Sequence, residues 1–324
     1  MYAKLKRNVK HILSSIIKVS LSIVILYVIC SKFGVNLSDF KHQIDNSYYC
    51  ILAVFTPIIV TTTLSSNRWK SFLSMVGVKE KSTFLYRLIL ISSFWGLILP
   101  SSQGYDVLRI YNIEKRHPEA RGKVGSTVFV ERILGLICLA FIAAVAWLFV
   151  NVNVSFLPIV ILVVIVAFVL WIILSRWWYM HIQQWISLIK IQPKAVGYLS
   201  KLYEGLHTFP FNKSLLLSIV LILMLQLSNI LVVYFLFEAC GCHINFIYHL
   251  CYQPLISVIT MIPITFGGIG LREGAFVYFY KQLGLPGDII IAVSLMYYVV
   301  ITLIPAFLGG ILYLTDTING IKSE

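Results

Sequence analysis

The sequence predicts an all-α, polytopic membrane protein with about six full spans and two re-entrant helical hairpins, arranged as an inverted repeat. Three observations carry this expectation. First, 59% of the 324 residues are hydrophobic and only 12% are charged. A soluble fold of this size cannot hide that much apolar surface. Second, several apolar runs reach about 20 residues, enough for a helix to cross roughly 30 Å of hydrocarbon. Lipid requires each segment to satisfy its own backbone polar groups, which selects helices, and the short alternating segments of a β-barrel do not appear. Third, the basic residues gather between apolar runs. The net charge of +13 therefore reads as positive-inside bias and not as a nucleic-acid footprint.

Apolar segments fall at 12–31, 48–66, 83–99, 124–150, 156–175, 214–238, 245–263, 274–283 and 289–314. The first follows Lys4, Lys6, Arg7 and Lys10 without a small-residue cleavage site, so it reads as a retained signal anchor. Three further stretches are basic: 67–87 (Arg68, Lys70, Lys79, Lys81, Arg87), 107–123 (Arg109, Lys115, Arg116, Arg121, Lys123) and 176–213 (Arg176, Lys190, Lys194, Lys201, Lys213). The stretches 32–47, 151–155, 239–247 and 284–288 hold only Lys32 and Lys41 as lysine or arginine.

The charge rule then places the N-terminus in the cytoplasm, with 12–31 leading out and 48–66 returning. A full crossing at 83–99 would put one of two basic stretches outside. The segment 83–116 is therefore expected to enter from the cytoplasm, turn within the membrane and leave on the same side, which is allowed if the turn is buried in protein or lines a wet cavity. Residues 124–150 go out and 156–175 return. Residues 176–213 lie along the cytoplasmic face with Trp177, Trp178, Tyr179 and Trp185 as interfacial anchors. Residues 214–238 go out, 245–283 forms a second hairpin entered from outside and broken at Pro263 and 266–270, and 289–314 returns the C-terminus to the cytoplasm. The whole of 1–324 is expected to be one integral membrane domain of the inner membrane.

Its halves, about 1–150 and 151–324, repeat the order span, span, hairpin, span with opposite orientation. The first hairpin turn runs from Pro100 through Gly104 and Asp106 to Arg109; the second runs from Pro263 through Gly267, Gly268 and Gly270 to Arg272 and Glu273. Proline, glycine four residues on and arginine nine residues on coincide, and Gly77 and Gly241 precede the two prolines by 23 and 22 residues. Interrupted apolar segments at matching places in two halves point to a transport site.

Proline and glycine break a helix and free backbone N–H and C=O groups. Freed N–H groups at a helix start favour an anion, and arginine supplies a permanent, bidentate charge suited to phosphate. Two such tips would form a polar site for a phosphate-bearing lipid headgroup. Arg109 and Arg272 are its candidate contacts. Asp106, Glu131, Arg132 and Glu273 orient them or read a cationic headgroup, and Gly104, Gly267, Gly268 and Gly270 let the backbone approach. Plainer roles stand beside these. Arg109 belongs to a basic loop, Asp106 caps a helix, Arg132 snorkels, and Arg272 and Glu273 form a structural pair. Glu131 is the better partner for Arg109. Gln226 and Asn229 share a helical face and serve interhelical hydrogen bonds equally well.

Cys240 and Cys242 form a C-x-C without a second pair, so no metal site is expected and all six cysteines read as packing residues. No nucleophile–base pair, dinucleotide fingerprint or P-loop appears, and no cofactor is expected.

NRWKSFL at 67–73, LPSSQGYDVLR at 99–109, VERILGL at 130–136, PITFGGIGLREGAF at 263–276, LGLP at 283–286 and FLGGILYL at 307–314 resemble the lysylphosphatidylglycerol synthase transmembrane region, or flippase-like, family. Tyr105 departs from the pattern, standing where relatives often carry a second glycine. The resemblance implies the membrane half of proteins that aminoacylate phosphatidylglycerol and flip the product, without the soluble synthase domain. Other relatives neighbour glycosyltransferases that use lipid-linked sugars. The implied activity is a lipid flippase for an aminoacylated phospholipid or a lipid-linked sugar. Two alternatives are a membrane-embedded transferase and a subunit recruiting a soluble synthase or glycosyltransferase through 176–213. The expected partners are a membrane lipid and such an enzyme, and a homo-oligomer is open to the chain.

Overall fold

The computed structural model describes residues 44–98, 104–150, 212–262 and 264–318, with isolated positions at 27, 31, 160, 161, 163, 164 and 168. Apart from those isolated positions, the expected spans at 12–31 and 156–175 lie outside the described residues, as does nearly all of the interfacial stretch 176–213. Among the described residues every regular element is helical. In chain order these are α1 (Ser47–Met75), α2 (Ser82–Ile98), α3 (Gly104–Arg116), α4 (Lys123–Trp147), α5 (Lys213–Ala239), α6 (Phe246–Thr260), α7 (Leu271–Tyr280) and α8 (Gly287–Ile318). Short 3-10 turns sit at Pro118–Ala120, Phe266–Gly268 and Lys281–Leu283.

Helices α1, α4, α5 and α8 hold 29, 25, 27 and 32 residues and are long and apolar enough to cross a membrane. Helices α2 and α6 are apolar but hold only 17 and 15 residues. At 1.5 Å per residue they reach about 25 and about 22 Å, short of the roughly 30 Å a span requires.

Side-chain caps start three of the helices. Asn46, Asn212 and Asn245 accept from the backbone N–H of Tyr48, Leu215 and Ile247 at 3.0, 3.1 and 3.1 Å, satisfying donors that the first turn leaves open. Helices α1 and α5 end in the same way. Gly77 donates to Ser74 O and Val78 to Leu73 O; Gly241 donates to Glu238 O and Cys242 to Phe237 O. Both glycines have positive φ, +85° and +68°, the left-handed conformation this C-cap demands.

Helix α1 continues nine residues past the apolar run expected to end at 66, because Trp69, Phe72 and Leu73 are fully buried there. It also contains a π-helical stretch at Thr56–Thr61, opened by Pro57, which has no N–H to give the ladder. A second π stretch, Val299–Leu303, interrupts α8 just before Pro305.

Helix α2 packs along α8, α6 along α4, and α5 along α1. The α2–α8 contact is close because Gly309 has no side chain. A Cβ built there would lie 1.9 Å from the carbonyl oxygen of Leu90. Arg87 of α2 pairs with Asp316 of α8 at one end of the same contact. Buried apolar residues fall into two clusters. One is centred on Trp69, Phe72, Leu85 and Ile113; the other lies around Phe237, Tyr252, Phe276 and Tyr280.

Candidate functional site

Five charged side chains meet where α1, α3 and α4 converge. Glu131 accepts from Arg109 Nη1 at 3.1 Å, from Arg109 Nη2 at 2.9 Å and from Arg68 Nη2 at 2.6 Å. Asp106 accepts from Arg109 Nε at 2.9 Å and from Arg132 Nη2 and Nε at 2.6 and 3.2 Å. Each carboxylate thus holds two guanidiniums. Three cations against two anions leave one positive charge over. Asp106 and Arg109 meet because they stand three apart on one face of α3. Arg109 has no exposed surface, and its guanidinium lies against the rings of Trp69 and Tyr105, 4.9 and 5.0 Å from their centroids.

In front of this cluster lies a cavity of about 410 Å³. Arg68, Glu131 and Arg132 form its charged wall, with the hydroxyls of Thr61, Thr62, Ser65, Ser93 and Ser257 and the amides of Gln226 and Asn229 around them. Both halves of the chain contribute. Pro57 and Thr61 come from the π stretch of α1; Ile301 and Pro305 come from the π stretch of α8 and the turn after it. Such stretches recur at functional positions in helices. Glu131 stands eight residues into α4 and Arg68 seven residues from the end of α1, so each lies about 10–12 Å along its axis from the nearer helix end.

A second group surrounds the turn before α7. Arg272 Nη2 donates to Gly267 O at 2.7 Å, and the guanidinium stacks 4.5 Å from the Tyr298 ring centroid. Arg272 Nη1 is buried and finds no partner among the described residues. Glu273, fully buried, accepts from the backbone N–H of Gly270 at 2.5 Å and from Ser294 Oγ at 3.2 Å. It therefore caps its own helix from the third position. Gly267, Gly268 and Gly270 take φ of +60°, +75° and +84°, a tight turn that L side chains resist. Gly104 is buried at the start of α3.

The structure thus gathers Asp106, Arg109, Glu131 and Arg132 in one place, and Arg272, Glu273 and the three glycines in another. The expected Arg109–Glu131 partnership is present. The expectation of Arg109 and Arg272 as opposed headgroup contacts meets a different geometry. Arg109 is enclosed by carboxylates and rings, and the cations on the cavity wall are Arg68 and Arg132. Arg272 is not among the residues lining the cavity; its stacking partner Tyr298 stands three residues before the wall residue Ile301. The sequence places Arg68 in a basic connecting stretch, 67–87. Its signal is periodicity, because Thr61, Ser65 and Arg68 share one helical face.

Spans of this length, short apolar helices packed between them and a charged cavity lined from both halves define a polytopic helical membrane protein. The chain belongs to the lysylphosphatidylglycerol synthase TM region family, which matches residues 15–309. It is similar to two proteins of Methanocaldococcus jannaschii. UPF0104 membrane protein MJ1595 is 24% identical, with 82% of this chain and 84% of the relative covered. UPF0104 membrane protein MJ1078 is 26% identical, with 68% and 93% covered.

Proposed function

We propose that this protein is an inner-membrane flippase, moving a phosphate-bearing lipid between leaflets. The observation that carries this reading is the cavity of about 410 Å³, walled by Arg68, Glu131 and Arg132 inside an apolar helical body. A charge among membrane helices is costly and defaults to function. The surplus positive charge asks for an anion, and guanidinium forks suit phosphate.

The packing supports an inverted repeat. Exchanging the first four helices for the last four turns the α2–α8 contact into the α6–α4 contact, α2–α3 into α6–α7, and leaves α1–α5 as it is. The matching glycine C-caps of α1 and α5 fall at corresponding places. On this reading α2–α3 and α6–α7 are the two re-entrant hairpins, and the cavity lies between the halves, where repeat transporters place their substrate. Arg68 and Arg132 then meet the headgroup phosphate, Arg109 and Asp106 hold the wall in shape, and Arg272 approaches from the second hairpin.

Reconstitution tests this. In proteoliposomes carrying a fluorescent anionic phospholipid, the protein should accelerate leaflet exchange with the lipid mass unchanged. Arg132→Gln and Arg272→Ala should slow exchange while leaving membrane insertion intact. A lipid product of altered mass would instead favour a membrane-embedded transferase. Unaltered exchange in both variants would remove the site assignment.

A further inference from the structure

The charge bookkeeping of the cavity selects among phosphate-bearing lipids. We infer that the site takes a single phosphate joined to an uncharged, polyhydroxyl headgroup, and turns away an aminoacyl headgroup; this rests on the transport reading above. A lysyl or other aminoacyl ester carries ammonium groups, each of which needs a carboxylate or an open aromatic face when taken from water. Among the described residues the carboxylate on the cavity wall is Glu131, and Asp106 stands behind it; both are already occupied. Glu131 accepts from Arg68 and Arg109, and Asp106 from Arg109 and Arg132. Tyr105, the aromatic ring on the wall, already lies against the Arg109 guanidinium. An incoming ammonium would meet surplus positive charge.

The rest of the wall fits hydroxyls. Gln226 and Asn229 are half-buried, three apart on α5, and their amides make no hydrogen bond to the described residues. Each offers a donor pair and an acceptor, the complement of a sugar or glycerol hydroxyl. Two of the wall hydroxyls already donate elsewhere but keep lone pairs. Thr62 Oγ1 donates to Pro57 O and Ser93 Oγ to Ile89 O, which leaves each able to accept from a ligand. Arg68, also on the wall, has an Nε–H that finds no acceptor among the described residues. The cavity thus combines uncompensated cation, idle amides and accepting hydroxyls, the pattern that one phosphate plus a neutral polyol would complete.

The test compares three labelled lipids in proteoliposomes of otherwise zwitterionic composition: phosphatidylglycerol, a glycosyl-phosphoprenol and lysyl-phosphatidylglycerol. Exchange of the lysyl lipid should be about tenfold or more slower than that of at least one of the other two, since like charges brought together are strongly disfavoured. Which of those two moves faster identifies the source of the polyol. Gln226→Leu and Asn229→Leu should each slow exchange of the polyol lipids. Lysyl exchange as fast as the others overturns the inference but leaves the transport reading standing. Exchange of none of the three overturns the transport reading, and the inference falls with it. The wild-type comparison does not depend on any variant folding.

Discussion

Arg109 of α3 and Glu131 of α4, 22 residues apart in sequence, are joined by two N–H···O bonds of 3.1 and 2.9 Å. The forked geometry fixes both the distance and the rotation of the two helices. It also holds Glu131 in the position where a second guanidinium, Arg68, reaches it from α1 at 2.6 Å. Three helices are thereby tied at the cavity wall by one carboxylate.

Removing that carboxylate should therefore destabilise far more than removing a rim cation. Glu131→Gln leaves Arg68 and Arg109, both buried, without their shared counter-charge. Breaking a buried pair from one side costs about 3–5 kcal/mol. Arg132→Gln removes a side chain that is 43% exposed, and an exposed pair contributes about 0–1 kcal/mol. Thermal unfolding in detergent should show a large loss for the first variant and a small one for the second. Equal losses would mean that the network does not tie the helices together.

The two glycines at 309 and 310 should differ in the same assay. A methyl at 309 would fall 1.9 Å from the Leu90 carbonyl oxygen, so backbone must move. At 310 it would meet the Phe94 ring at 2.9 Å, and a side chain can rotate away. Gly309→Ala should cost about 1–3 kcal/mol or more, the range for overpacking, and Gly310→Ala less. The reverse order would show that α2 and α8 do not meet through position 309.

Gly77→Ala and Gly241→Ala separate backbone strain from crowding. Both positions have positive φ, which costs an L residue roughly 1–2 kcal/mol. Nothing lies within 4 Å of a Cβ at 77, whereas at 241 the Asp45 carboxylate stands at 2.8 Å. Gly241→Ala should be the more destabilising of the two by unfolding in detergent, and Asp45→Ala in the same background should recover the difference.

Much of this was legible from the sequence, and the reason the rest was not is physical. Apolar length foretold α1, α4, α5 and α8. Proline and glycine foretold the breaks after α2 and α6, because those residues act locally. The Arg109–Glu131 pair was also within reach, since a carboxylate two turns inside a span needs a cation. Arg68 escaped because hydropathy treats an arginine after Asn67 as the end of a span, while the packing of Trp69, Phe72 and Leu73 carries the helix onward. The choice of Arg68 and Arg132 as wall cations depends on which guanidiniums Asp106 and Glu131 turn inward, and that is set by tertiary contact alone.

The re-entrant reading of α2 and α3 makes the sharpest demand on topology. The described part of helix α2 holds 17 residues, fewer than any of the four candidate spans, and Gly96 near its end lies against Tyr105 near the start of α3, where an added Cβ would be 3.2 Å away. The two helices thus meet beside the break that separates them, as the arms of a hairpin must. If they form one, the segment before α2 and the segment after α3 lie on the same face of the membrane. Lys79 and Glu119 are exposed in those segments. With the six native cysteines replaced, Lys79→Cys and Glu119→Cys should both react with an impermeant maleimide from the same side, while Asn151→Cys, beyond α4, reacts from the opposite one. Labelling of positions 79 and 119 from opposite sides would mean that the chain crosses between them. The inverted repeat would then be lost, and with it the placement of the cavity between two opposed halves.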